Sequence, residues 1–221
     1  GARLSGGAVF NNISFSTMTG AGIGLAFIQA SSNTVADCYV QGSTAVSVLG
    51  STGAAINRST LFATSSMGKA LNLGAGSVNL SVTSSTLAGG YSGSGAFLDY
   101  GNTGSISFAS TTIQGSPYGL NISTQLPGAK LAIASMTFQG PLPPGATAIN
   151  FLGGQFVATF TAVNFANSNI AVNVNGSLLS PGSRITMRND LGLQKGPGFE
   201  NDLSGYVDWP DGESAVVITG S

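Results

Sequence analysis

The chain contains no histidine, which removes Ser-His-Asp and Cys-His nucleophiles, imidazole bases and the usual zinc sites in one step. Carboxylate chemistry is what remains. Glycosidases need two carboxyl groups roughly 5–10 Å apart, and before residue 182 the acids are Asp37 and Asp99 alone. The repeat described below sets those two apart by two coils and on different strands, which argues against a productive pair. No coil groups several acids near an Arg or Lys, as a calcium-assisted lyase requires. The segment Asp208-Trp209-Pro210-Asp211-Gly212-Glu213 holds three acids that suit a hard cation, but Pro-Asp-Gly is also an ordinary turn, and the turn is the preferred reading. No metal or cofactor is therefore assigned. Were the chain an enzyme, Asp99, Asp208 and Asp211 would be its acids.

Ligand binding has better candidates. Flat apolar rings with polar tips suit sugar faces. Tyr91 and Tyr118 occupy nearly equivalent turns of adjacent repeats, and Tyr100 ends a strand beside Asp99. Tyr91, Asp99, Tyr100 and Tyr118 are the candidates for a shallow saccharide patch, with Trp209 as a further aromatic in the tail. That the tyrosines stack on one another and only brace a corner is the preferred reading. Cys38 is the single cysteine, so no internal disulfide forms, and its place three residues after Val35, like Ile13, Met136 and Val163 after their own strand starts, predicts a buried thiol. Gly20-x-Gly22-x-Gly24 lacks the spacing of a dinucleotide fingerprint and reads as a turn. The Asn-x-Ser matches at Asn12, Asn57, Asn79, Asn121 and Asn175 are expected by chance in a chain this rich in Asn and Ser.

Composition limits partners. Net charge is −1 with only 7% charged residues, which gives no electrostatic footprint for nucleic acid. Apolar runs last only a few residues, too short for a membrane-spanning helix. The opening Gly1-Ala2-Arg3 reads as the start of an excised fragment, so missing targeting signals carry little weight.

The elements that must carry these residues come from a repeat. Seven apolar pairs spaced by five residues recur: Phe10/Phe15, Val35/Val40, Ile56/Leu61, Val82/Leu87, Phe108/Ile113, Ile133/Phe138 and Phe160/Phe165. Their first members are separated by 25, 21, 26, 26, 25 and 27 residues. Such a period means stacked units that bury a core only together. The residue before the second apolar member is Thr60, Thr86, Thr112 or Thr137 in four coils, with Ser14, Tyr39 and Asn164 elsewhere, predicting an outward polar row. A second strand reads small–apolar–x–apolar, as in Ala70-Leu71-Asn72-Leu73 and Gly119-Leu120-Asn121-Ile122. Its middle position carries Asn72, Asn121, Asn150 and Asn173, an expected amide ladder. Glycine-rich corners follow.

Short strands, three turns per coil and no helical period predict an all-β parallel β-helix of about seven coils over residues 1–182. A sandwich of short strands would not align its columns across seven coils. Coil length and irregular corners resemble the right-handed, pectate-lyase-like type. Asp99 falls in the column of Leu73 and Ile122, which predicts either a one-residue slip that turns Leu98 inward, the preferred reading, or a buried carboxylate.

After Gly182 the pattern fails. Six of the eight acids lie between Asp190 and Glu213, so residues 183–221 are expected to form a separate β cap or hairpin module. The solenoid resembles those of phage tailspikes, tail fibres and bacterial surface adhesins. Arg188-Asn189-Asp190-Leu191-Gly192-Leu193 and the run Gly205 to Ile218 are similar to an "NN-x-G" turn and a "G-x-V-x-x-P-x-G-x-x-x-V-x-V" hairpin found after such solenoids in phage receptor-binding proteins. The resemblance implies an extracellular place on a virion or cell surface, recognition of a surface polysaccharide or cell-surface receptor, and a homotrimer. The expected function is non-catalytic recognition. A polysaccharide depolymerase with acids at a groove or between subunits is the rival, and ice binding by the threonine row is a weaker third reading.

Overall fold

A computed structural model describes residues 1–139, 146–153, 157–165, 170–175, 184–188, 207–208 and 216–219. The chain winds as a parallel solenoid with no helix among those residues. Each coil lays down one strand in each of three sheets, as the first coil does with Ala2–Ser5 in sheet A, Asn12–Ser14 in sheet B and Thr17–Thr19 in sheet C. Every described ladder is parallel and joins a strand to its counterpart one coil away. Among the described residues sheets A and B hold nine strands each and sheet C six, so six coils carry a strand in all three sheets. In the seventh, sheet C shrinks to a single bridge between Thr137 and Asn164, one coil fewer than the repeat predicts.

Alternation along each strand sends every second side chain inward, and the parallel register stacks like on like. Sheet B's inner column runs Val35, Ile56, Val82, Phe108, Ile133 and Phe160, all at most 1% exposed. Sheet C supplies Val40, Leu61, Leu87, Ile113 and Phe138, and Phe165 stacks on Phe138 with ring centroids 5.5 Å apart. These are six of the seven predicted pairs.

The first pair is a correction. Phe10 and Phe15 are 82% and 84% exposed, and the register places Ile13 beside Val35 and Met18 beside Val40. Ile13 and Met18 share the five-residue spacing, so periodicity alone could not choose between the two pairs. Backbone geometry decides. Phe10 and Phe15 sit in corners at φ 55° and 50°, where side chains leave the pleat. The polar row shifts with them, so its first member is Thr17 and not Ser14.

In two coils the small residue of the sheet A pattern is glycine, Gly95 or Gly119, for a steric reason. A β-carbon on Gly95 or Gly119 would lie 2.4 Å from Ile113 or 2.6 Å from Phe138, inside the core of the same coil. Asp99 follows the predicted slip: Leu98 pairs with Leu73 and Ile122 and is 1% exposed, while Asp99 is half-exposed.

Both long edges of sheet B are laced by buried hydroxyls. At the edge next to sheet C the column is Ser16, Cys38, Ser59, Ser85 and Thr111. Cys38 N donates to Ser59 Oγ and Ser59 N to Ser85 Oγ, both at 3.1 Å, and each Oγ donates back to a carbonyl two residues earlier. Cys38 is 4% exposed as expected, with its Sγ donating to Ala36 O at 3.1 Å; Met136 and Val163 continue its column as predicted, whereas Ser16 and not Ile13 holds it in the first coil. At the other edge Ala30 N donates to Ser51 Oγ and Ser77 N to Asn102 Oδ1.

In the segment 183–221, Arg184–Arg188 continues sheet B, Val207–Asp208 adds beyond it, and Val216–Thr219 adds in parallel to Ile170–Asn175 of sheet A. The last rung is thus laid in sheet B before sheet A, the reverse of every earlier coil.

Candidate functional site

The outer face of sheet A gathers the functional side chains most densely. Its central row, fixed by register, is Ala26, Ser47, Asn72, Phe97, Asn121, Asn150 and Asn173. Asn150 Nδ2 donates to Asn121 Oδ1 at 2.9 Å, and Asn173 Nδ2 to Asn150 Oδ1 at 2.7 Å. The expected amide ladder therefore exists, but Asn72 is cut off from it by Phe97.

That interruption is occupied. Lys69 Nζ sits 3.9 Å from the centre of the Phe97 ring and 3.5 Å from Asn72 Oδ1. Burial pushes the Lys69 pKa down, and the negative charge of Asp99 partly offsets the effect. Asp99 lies two residues after Phe97 on the same face. Its Oδ1 accepts from Tyr100 N at 2.8 Å, while its main-chain carbonyl accepts from Asn102 Nδ2 at 2.7 Å and Gln125 Nε2 at 2.8 Å. Those amides hold the corner that aims the carboxylate. Sequence reading missed Lys69 and Phe97 because Lys69 belongs to no repeated column and Phe97 interrupts the amide column; a Lys, one of only three in the chain, was the available signal.

The four patch residues are divided between two corners. Tyr91, 80% exposed, and half-buried Tyr118 lie where sheet C turns into sheet A. Ser116 N donates to Gly93 O at 3.0 Å, which aligns Tyr118 with the residues after Gly93 and not with Tyr91. Asp99 and Tyr100, the latter 63% exposed, lie where sheet A turns into sheet B. The intervening strand Ala96–Leu98 separates the two corners by ~10 Å. Among the described residues the ring pairs are Phe138–Phe165 and Phe151–Phe160, so no described ring stacking involves these tyrosines. Asp208 is described through its strand alone, and Trp209 and Asp211 lie outside the described residues.

Asp37 is at the opposite edge of sheet B from Asp99. Arg58 Nε and Nη2 donate to its two carboxylate oxygens at 2.8 and 2.7 Å. Three rungs of sheet B, ~14 Å and one coil more than the repeat predicts, separate the strand that Asp37 follows from the strand that Asp99 leads into. The two do not form a glycosidase pair. What the sheet A face offers is a row of amide donors and acceptors, one apolar ring under a cation, and one aimed carboxylate.

No protein-family model matches the sequence, and no curated protein matches it either. Among solved structures, the tailspike protein gp49 from Pseudomonas phage LKA1 is similar over 88% of this chain and 49% of its own, at 14% identity and a TM-score of 0.46. The chain thus spans about half the length of that tailspike. The solenoid itself rests on the register of its own strands.

Proposed function

We propose that this chain is a recognition solenoid of a phage tail or a bacterial surface, which holds a surface polysaccharide against the outer face of sheet A without cleaving it. The observation that carries the reading is the row Asn72–Phe97–Asn121–Asn150–Asn173 with Lys69 and Asp99 beside it. The partly exposed amides of Asn72, Asn121 and Asn173 offer donors and acceptors to a polymer rich in hydroxyls, Asn150, 2% exposed, links the last two, and Phe97 supplies a flat apolar face. The similarity of the C-terminal run to elements of phage receptor-binding proteins supports a virion setting, and with it an extracellular place and a homotrimer.

A glycan array read together with a reducing-end release assay tests this. Binding that is weakened by Phe97→Ala and Asn121→Ala, with no oligosaccharide released, is the expected result. Release that disappears in Asp99→Asn would establish the depolymerase instead. Asp99 beside Lys69 is the observation in favour of that second reading, since it puts one acid and one base on a single face. A solution mass measurement decides whether a site between subunits is available.

A further inference from the structure

The corner between sheets B and C places one residue per coil at positive φ: Phe15, Asp37, Arg58, Ser84, Ser110, Ser135 and Ala162, all between 44° and 55°. Immediately beyond it runs the outward row of sheet C, with Tyr39 followed by Thr60, Thr86, Thr112 and Thr137. From the fourth coil to the sixth both columns are plain, Ser beside Thr. In the first three coils they are not. There the corner carries a ring, an acid and a guanidinium, and the row carries a tyrosine.

These departures converge on one groove. Phe15, Thr17, Asp37, Tyr39 and Arg58 line an open depression of about 530 Å³ on the outside of the solenoid. Phe15 is 84% exposed on a left-handed backbone conformation that disfavours a bulky residue, although Ser fills the same position three times in this chain. Tyr39 is 37% exposed with its hydroxyl donating to Gln41 Oε1 at 3.2 Å. Arg58 reaches one rung back to clasp Asp37 through Nε and Nη2, which leaves the Nη1 hydrogens pointing away from the carboxylate. The ion pair cancels in charge, and the hydroxyls of Thr17 and Tyr39 are neutral.

From this placement we infer that the groove is a second saccharide-binding subsite, specific for an uncharged sugar unit held between the Phe15 and Tyr39 rings. The apolar face of the pyranose lies on the rings. Adjacent sugar hydroxyls meet the guanidinium hydrogens and the Asp37 oxygens, which sit side by side as donors and acceptors in a fixed plane. A net-neutral pair gives no attraction for a uronic or sialic acid chain. This inference rests on the recognition reading above and adds a location and a charge class to it.

The chain supplies its own neutral replacements. Phe15→Ser, Tyr39→Thr and Arg58→Ser together remove both rings and the guanidinium, each replaced by the residue that fills its column in coils four to six, with the half-buried Asp37 left in place, so the variant is expected to fold with an unchanged circular dichroism spectrum. Affinity electrophoresis through gels containing mannan, dextran, galactan or alginate gives the readout. Retardation of the wild-type chain by at least one of the three neutral polymers, weakened about tenfold in the triple variant, is the expected result. Retardation by a neutral polymer that the triple variant retains overturns the groove while leaving the sheet A reading standing. Retardation by alginate alone overturns the charge assignment, and no retardation in any gel overturns both. Should the triple variant fail to fold, Phe15→Ser alone carries the comparison, since its ring makes little contact with the core.

Discussion

At the scale of single residues, the clearest electrostatic feature is the Asp37–Arg58 clasp. Hydrogen bonding from Arg58, reinforced by its charge, outweighs partial desolvation and holds the Asp37 carboxyl below its usual value. A carboxyl whose folded pKa is depressed stabilises the fold above its unfolded pKa of about 3.9, and that contribution disappears as pH falls through the folded value. The melting temperatures of wild type and Asp37→Asn should therefore differ near neutrality and converge as pH falls through the depressed folded value. A gap unchanged at low pH would mean that the ion pair is not its source. Buried hydroxyls give a sharper test. Ser59→Ala removes the acceptor of the Cys38 amide and should cost about 1–3 kcal/mol in urea unfolding. Ser59→Cys should be milder, because Cys38 already occupies that column one coil below.

At the scale of the strand, what can be read from sequence is what register repeats. Six apolar pairs, the threonine row and the inward turn of Leu98 all follow from alternation combined with a constant period. The first coil escaped because two residue pairs with the same spacing competed, and only the left-handed corners at Phe10 and Phe15 separate them. Among the described residues eleven non-glycine positions adopt positive φ, and apart from Asp37 and Asn79 their types, Phe, Gln, Ser, Arg and Ala, do not announce it. The corners were therefore legible at glycines such as Gly50 and Gly101 and largely illegible elsewhere. The candidate site suffered in the same way: Asp99 was found as a break in a column and Tyr100 as an aromatic at a strand end, whereas the cation over Phe97 arises from a contact between neighbouring coils that no single column displays. Mutation can check the corrected register. Ile13→Ala should destabilise by about 1–2 kcal/mol and Phe10→Ala by no more than about 0.5 kcal/mol, measured by chemical denaturation. Equal or reversed costs would restore the original pairing.

At the scale of the molecule, stability comes from each coil resting on the next, so the solenoid behaves as a one-dimensional stack. Thr83 pairs with Ala109 across one rung, and Ser84 and Ser110 share the same corner geometry. Deleting residues 84–109 joins equivalent positions and removes one whole coil. The shortened chain should keep its β-type circular dichroism and unfold cooperatively with a smaller urea m-value, in proportion to the surface lost. Aggregation, or loss of the cooperative transition, would show that this coil is needed as a specific part and not as one unit of a stack.

The corner column between sheets B and C has one more consequence. Its seven positions share one backbone conformation, sit ~4.8 Å apart over ~29 Å, and in this one chain accept an aromatic, an acid, a base, a hydroxyl and a methyl side chain without any change of register. Side chains there leave the pleat, so the interior does not constrain their identity. Such a row is a pegboard. Its chemistry can be rewritten one peg at a time, by mutation or by design, while the winding that carries it stays untouched.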